Sequence, residues 1–367
     1  MPPLPALLME ELVEEVLFRL PPDEPAWLVR ASAVCKQWRR IVADPGFRRR
    51  YREFHGTPPV LGFFDGDDTF VPTSALLPAQ PDRPCAPRCI PLDCRHGRVL
   101  FATSSEDRPA FDLIVLDPLK SYQCRVPFPV DHRLIFSAAV LCATQGCDHH
   151  GCEEGHFLVV VLTTSWLDRV TSGWLYSSAT RAWSDLTSVH HPNVQCRSHF
   201  AKRSVLVGDA LYFNVDGAII KYQLGMLRLS MFKKPINCGG RLMKTQDGRL
   251  AFATVVKATN LILWSIDTGP DGAMGIAKLR VIDLKTLLPD GALSTPTPRW
   301  TGAYILSGFT EGAQVTFVST CAGVYMVDLK SRRARKVSCD SSHGQRCFPY
   351  MNFYIPAMKA ASTIQEQ

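Results

Sequence analysis

Apolar residues recur at helical spacing over the first fifty positions. Leu8, Leu12, Val13, Val16, Leu17 and Leu20 spread over about half the circumference of a helix of period 3.6. Glu10, Glu11, Glu14 and Glu15 hold the other side and are expected to face water. A helix docked on one neighbour needs a stripe of only ~100°, so this wider arc predicts two neighbours. Pro21 and Pro22 stop the helix, because proline lacks the amide donor and clashes with the preceding turn. A second helical stretch starts near Pro25 and aligns Leu28, Ala31, Cys35, Trp38, Ile41 and Val42 on one face. Asp44 then reads as an N-cap with Pro45 in the first helical position, opening a short helix that carries Phe47, Tyr51 and Phe54 toward the same core. Three or four short helices are predicted. They are too little chain to bury a good core alone, so the missing neighbour is either the rest of this chain or another protein.

After Gly56 the pattern changes. Pro58, Pro59, Pro72, Pro78, Pro81, Pro84, Pro87 and Pro91 exclude long helices, and Leu61–Phe64 reads as a first strand. From about Ile90 to Pro356 short β-branched and aromatic runs alternate with Gly, Asp, Ser and Pro: Arg98–Ala102, Leu113–Leu116, Phe157–Leu162, Gly173–Tyr176, Val205–Val207, Ala210–Asn214, Leu250–Thr254, Leu261–Ile266, Val315–Ser319 and Gly323–Asp328. Most belong to a unit of strand, tight polar turn and second strand. The positions Ser177, Tyr222 and Asp267, and again Asp283 and Asp328, recur about 45 residues apart, the length of a propeller blade. A blade cannot bury both faces alone, so stacking around a ring must supply the core. The reading is a propeller of six or seven blades, with a large β-sandwich as the alternative. Ring closure is expected to pair Leu61–Phe64 with Met351–Ile355, in which Phe353 and Ile355 alternate with Asn352 and Tyr354.

Within the helices, Leu8-Met9-x-x-Leu12, Val16-Leu17, Arg19-Leu20-Pro21 and Val34-Cys35-Lys36-x-Trp38-Arg39 resemble the F-box, with Met9 standing where that family usually has proline. In the β half, Cys94–Leu100, Val207–Phe213 and Pro349-Tyr350-Met351 resemble plant F-box proteins with a propeller-like, Kelch-related C-terminal domain. The strict Kelch signature is absent. The organisation expected is α+β multidomain: an all-α F-box module at 1–56, a Pro-rich linker with the first strand at 57–91, an all-β substrate-binding domain at 92–359 and a flexible tail at 360–367.

The resemblance implies a non-catalytic substrate receptor of a cullin-type ubiquitin ligase, which docks on a Skp-type adaptor and presents a protein target. It assigns the adaptor contact to Leu8, Met9, Leu12, Val16, Leu17, Leu20, Pro21, Leu28, Val34, Cys35, Trp38 and Ile41. An interaction scaffold without degradation, or an enzyme with an unrecognised site, stay open as alternatives.

Composition changes this picture little. Hydrophobic residues make up 46%, enough for a large core, and charged residues 20%, which argues against long disordered tails. The net charge of +7 gathers around Lys36, Arg39, Arg40, Arg48, Arg49, Arg50 and Arg52. No nucleic-acid motif accompanies them, so a solvated helix face, or one that meets an acidic partner, is the expectation. The first twenty residues do not read as a signal peptide, and no run is long enough to span a bilayer. Thirteen irregularly spaced cysteines read as reduced thiols of the cytoplasm or nucleus.

Chemistry-bearing motifs are sparse. No P-loop, G-x-S-x-G, H-E-x-x-H or G-x-G-x-x-G occurs, and no cofactor is expected. Arg95-His96-Gly97 reads as a turn, and His190-His191 as a loop without a chemical role. Cys142, Cys147, His149, His150, Cys152 and His156 crowd one segment between two apolar strands. The pairs lack C-x₂-C and H-x₃₋₅-H geometry on both sides, so a polar hairpin loop is expected and no metal is assigned. Cys142, Cys147, His149 and Cys152 are the set that zinc would take.

Overall fold

The structure, a computed structural model, describes residues 6–66, 69–74, 88–105, 108–120, 122–128, 135–144, 146–147, 149, 152, 155–165, 168–190, 203–215, 217–234, 240–257, 259–268, 274–293, 306–312, 314–339 and 346–356. Four helices come first: α1 (Ala6–Phe18), α2 (Ala26–Val34), α3 (Lys36–Ala43) and α4 (Pro45–His55). The stretch from Pro25 to Val42 is two helices, not one. Cys35 is extended, and its sulfur accepts the Trp38 N–H at 3.5 Å, so it caps α3 and turns the chain. Asp44 caps α4 by accepting from the Phe47 N–H at 2.9 Å, with Pro45 in the first turn.

Leu17, Leu28, Ala31, Ile41, Val42, Phe47 and Tyr51 form the helical core. Two contributions complete it. Phe353 and Ile355, from the end of the β half, pack into it, and Phe353 meets Tyr51 edge-on at 6.2 Å. Charge pairs lock α1 from outside: Glu10 to Arg40 at 2.8 Å, and Glu14 to Arg50. Glu10 and Glu14 therefore do not simply face water, and part of the basic run is paired within the module. Phe54 does not point into the core as its spacing suggested. It is 62% exposed, stacked at the rim on Phe18.

The β half is a ring of six sheets among the described residues. Blade 1 holds β3 (Arg88–Arg95), β4 (Arg98–Ser105), β5 (Arg108–Asp117) and β6 (Tyr122–Val126). Blade 2 holds β7 (Ile135–Cys142), β8 (Phe157–Ser165), β9 (Val170–Ser177), β10 (Ala182–Trp183) and β11 (Thr187–His190). Blade 3 holds β12 (Val205–Val207), β13 (Ala210–Val215), β14 (Ala218–Gln223) and β15 (Arg228–Lys233). Blade 4 holds β16 (Arg241–Lys244), β17 (Leu250–Val256), β18 (Asn260–Thr268) and β19 (Met274–Asp283). Blade 5 holds β20 (Leu306–Phe309), β21 (Val315–Thr320), β22 (Gly323–Asp328) and β23 (Arg333–Ser338). The closing blade joins β1 (Val60–Phe64) and β2 (Phe70–Pro72) from one end of the chain to β24 (Phe348–Met351) from the other, in the order β2-β1-β24.

All ladders are antiparallel, and blades 1, 3, 4 and 5 are simple meanders. The first strands β3, β12, β16 and β20, together with β7 and β24, line the axis and neighbour one another around it. Each blade-to-blade interface has its own apolar cluster. Val159 and Val161 of β8 face blade 1, while Val160 and Leu162 face blade 3. A strand buried on both faces must be apolar at every position, which is why Phe157–Leu162 shows no alternation.

Ring closure uses Phe64↔Phe348, Phe63↔Pro349 and Gly62↔Tyr350. The closing strand ends at Met351, earlier than the alternation of Phe353 and Ile355 implied. Those two side chains leave the sheet for the helical core. The two halves thus share a core through Phe353 and Ile355, so the rest of this chain supplies part of the cover that the helices lack alone. Pro349 is tolerated because β24 is the inner edge of its sheet, where a missing donor breaks no ladder. Ser177, Tyr222, Asp267 and Asp328 all sit near the ends of third strands. Asp283 ends a fourth strand and caps the short 3-10 turn after it, so its spacing to Asp328 is a coincidence of number.

Candidate functional site

The helical module carries an exposed apolar surface. Leu12, Val16 and Val34 are 62%, 56% and 64% exposed. Trp27, absent from the sequence-derived set, is half exposed at the start of α2, with the Arg30 guanidinium over its ring. Pro21 and Cys35 are exposed as well. Leu17, Leu28 and Ile41 are instead fully buried in the module's own core. Leu20 and Trp38 pack against that core and are half-buried. The residues expected to bind an adaptor therefore divide: one group holds the helices together, and another is left open. The reason is the width of the α1 arc, of which only the side bearing Leu17 is covered. Leu8 and Met9 lie in α1, and their side chains fall outside the described residues, as do His150, His191 and the tail 360–367.

A second site lies where the helices meet the propeller axis. Arg52 of α4, Gly56 to Pro58, the His96–Gly97 turn, Lys244, Glu311 and Asn352 wall a cavity of about 300 Å³. His96 and Gly97, both at positive φ (52° and 73°), form the tight turn between β3 and β4. Beside that turn sits a quartet of charges, two of each sign, in which Arg95 and Asp93 are buried and Arg203 and Glu311 partly open. Arg95 donates to Glu311 at 2.7 and 2.9 Å, to the Ser204 hydroxyl at 3.1 Å, and to Asp93. Arg203 donates to Asp93 at 3.1 Å and to the Phe309 carbonyl at 2.8 Å. Asp93 also accepts the Val140 N–H of β7 at 3.0 Å. Blades 1, 2, 3 and 5 are thus tied at the axis by one network. Nothing in the sequence marked it, since Arg95 and Glu311 lie 216 positions apart, Arg203 lies 110 from Asp93, and they become neighbours only when the ring closes.

The cluster is built to stay charged. Burial pushes the Glu311 carboxyl up, but Arg95 and Arg203 outweigh that and hold it down at about 2. Burial likewise works against the Arg95 charge, and Asp93 and Glu311 overcome it. His96 goes the other way: burial first, then the neighbouring His149, lowers it to about 3, so it is neutral. A carboxyl held below its ordinary 4.5 adds stability that is complete above that value and disappears as pH falls toward about 2. Replacing Glu311 by Gln should therefore cost stability at neutral pH, and the wild-type advantage should shrink steadily below pH 4.5. Denaturant unfolding at a series of pH values measures it. A difference that stays constant through that window would show that the charge of Glu311 does not matter.

Among the described residues at this site, no nucleophile is assembled with a base and an orienting group. The acids are paired with arginines, and the Cys94 thiol beside them is pushed up to about 12 by burial. The arrangement fastens and shapes a cavity. Arg52 and Lys244 line its walls.

The Cys/His segment between β7 and β8 opens beside the same cavity, which His149 also lines. The structure brings together Cys142, Cys147, His149 and Cys152, whose ligand atoms all lie within 4.8 Å of one another. His190 is the last residue of β11, away from this group. No described helix is long and apolar enough to cross a membrane.

The F-box domain model matches residues 8–50. No curated protein matches the chain. Solved structures similar to it include that of U3-55K, 10% identical with a TM-score of 0.36 over 80% of this chain and 83% of that one. A protein of unknown function from Bacteroides thetaiotaomicron is 11% identical, with a TM-score of 0.38 over 70% and 60%. The Dos1 propeller is 7% identical, with a TM-score of 0.33 over 69% and 57%. The chain spans 57%, 27%, 30% and 28% of the length of four such matched structures. Taken with the geometry above, residues 8–50 are an F-box domain within a four-helix module, and that module is followed by an all-β six-bladed propeller.

Proposed function

We propose that this chain is the substrate-recognition subunit of an SCF-type ubiquitin ligase: the F-box docks on a Skp-type adaptor and, through it, a cullin, while the propeller holds a target protein. F-box domains typically bind such adaptors and are typically non-catalytic. The observation that carries the reading is the open apolar surface of Leu12, Val16 and Val34 on a matched F-box. Large apolar side chains left exposed on a small module are what a partner covers. On this reading no covalent step occurs on the chain. Its contribution is proximity, raising the effective concentration of target lysines near the conjugating enzyme.

The helices cover the end of the axis where first strands turn into second strands. The opposite end, carrying the β8–β9, β13–β14, β17–β18 and β21–β22 turns, is left for the target. The ten described cysteines form no disulfide among themselves, which fits a reducing compartment, cytoplasm or nucleus. The Kelch relation and a plant lineage rest on the resemblance of the β-half runs alone.

The test is adaptor capture by the full chain. Leu12→Asp with Val16→Asp should abolish co-purification of a Skp-type adaptor, while far-UV circular dichroism and the melting transition stay as in the wild type. Both positions are exposed, so the fold is spared. Leu20→Asp is a poorer probe, since Leu20 supports the helical core. Undiminished capture by the double variant would sink the proposal.

A further inference from the structure

We propose that Cys142, Cys147, His149 and Cys152 hold a zinc ion in a four-coordinate site that pins the β7–β8 loop to the propeller mouth. The donor set is three thiols and one imidazole, the ligands zinc prefers in closed structural sites. Tetrahedral zinc, with bonds of about 2.1–2.3 Å, places ligand atoms roughly 3.4–3.8 Å apart. The four atoms here all lie within 4.8 Å, so closure needs movements of about an ångström, within rotamer adjustment. Cys142 leads out of β7, which fixes one corner on the sheet. Cys152 is buried, and its sulfur already lies 3.5 Å from Nδ1 of His149.

The surroundings match a metal site in three further respects. Backbone N–H groups of Thr144 and His149 point at the sulfurs of Cys142 and Cys147, at 3.4 and 3.3 Å, which favours thiolates. The His149 ring is held flat on His96, with centroids 3.7 Å apart and planes 9° apart. His96 is itself anchored by accepting the Cys142 N–H at 3.2 Å, so both faces of the loop are braced. Third, Arg98 is buried and donates to the carbonyls of Cys152 at 2.7 Å and Gly155 at 2.6 Å. Its other terminal nitrogen, Nη1, has no hydrogen-bond partner among the described residues. A buried cation is costly unless an opposite charge is near. Zn²⁺ with three thiolates and a neutral imidazole has a net charge of minus one, which Arg98 offsets. Binding releases one proton from each of the three thiols, and nothing is oxidised or reduced.

Spacing argued against this site because a zinc knuckle places its cysteines in C-x₂-C pairs on one turn. Here the ligands come from a strand end and a loop that folds back on it, with Gly146 at φ 67° and His149 at φ 61° making the reversals. The site is structural. It sets the wall of the cavity under the F-box and does not depend on adaptor binding.

The experiment uses the full chain, stripped with a chelator and then exposed to Zn²⁺ or Co²⁺ under reducing conditions and desalted. Elemental analysis should find about one zinc per chain, and cobalt should give the intense visible bands and sulfur charge-transfer of a tetrahedral thiolate site. Cys147→Ser with Cys152→Ser should abolish both. Because Cys152 is buried and that variant could misfold, His149→Ala, at an exposed position, serves as the second probe. It should keep the wild-type circular dichroism yet lose the metal to a chelator at least about tenfold more readily. A wild-type chain that retains no stoichiometric zinc, a weak octahedral cobalt spectrum, or a disulfide among these cysteines by intact mass would each overturn the proposal.

Discussion

A chain truncated before Tyr350 is expected to lose its cooperative melting transition altogether. Tyr350 is fully buried between the rings of Phe64 and Phe70, at 6.4 and 6.2 Å, and pairs with Gly62 across the closing ladder. Removing a buried aromatic side chain alone costs about 3–5 kcal/mol. The truncation also removes half of β24 and, with Asn352, the bond from its N–H to the Pro59 carbonyl at 3.2 Å. Against a typical domain stability of about 5–15 kcal/mol, that combination is decisive. It also opens the ring, which exposes the inner edge of β1.

A cut after Met351 separates two effects. The closing strand is kept, so the β-sheet signal and its melt should persist. Phe353 and Ile355 are lost from the helical core, so helical circular dichroism should fall and adaptor capture weaken. Removal of 360–367 alone, a segment with no apolar pattern, should change neither. If the chain cut before Tyr350 melts at the wild-type temperature as a monomer, closure through β24 is not what holds the ring.

The second large effect is expected at Arg95. Its side chain is shared by Asp93 and Glu311 and almost wholly out of water, and about a quarter of the Glu311 side chain opens to the cavity. Arg95→Met removes one cation and leaves two acids with Arg203 alone. Breaking one partner out of a buried charge group typically costs about 3–5 kcal/mol, because the remainder is uncompensated. Adding Glu311→Gln restores neutrality, with Arg203 and Asp93 as a balanced pair, so the double variant should recover much of the loss. Denaturant melts of the two variants and the wild type give the comparison. Equal stability of Arg95→Met and the wild type would show that the quartet is not a fastening. A double variant no more stable than the single one would show that geometry, not charge balance, sets the cost.

How far the sequence reaches is visible residue by residue. The capping of α4 by Asp44 was legible, because a cap is a contact over three positions. The ten strands picked out by composition are all present, since both-sided burial writes itself as unbroken apolar runs. The fate of Phe54 was not legible. Helical spacing places residues on a face but does not say how far along the helix its neighbour extends. The same limit applies to α1. Leu12, Val16 and Leu17 read alike in sequence, and only packing against α2, α3, α4 and Phe353 decides that Leu17 is core and the other two are surface.

The chain by itself determined the local and the periodic: the cap of α4, strand positions, blade length and the F-box pattern. Tertiary structure alone decided the number of blades, the end of the closing strand, the insertion of Phe353 and Ile355 into the helices, and the charge quartet at the axis. Each of these joins residues far apart in the chain, such as Arg95 and Glu311 or Tyr51 and Phe353. Such pairs carry no spacing that can be read in advance, because their separation is set by how many blades the ring must complete before its ends meet.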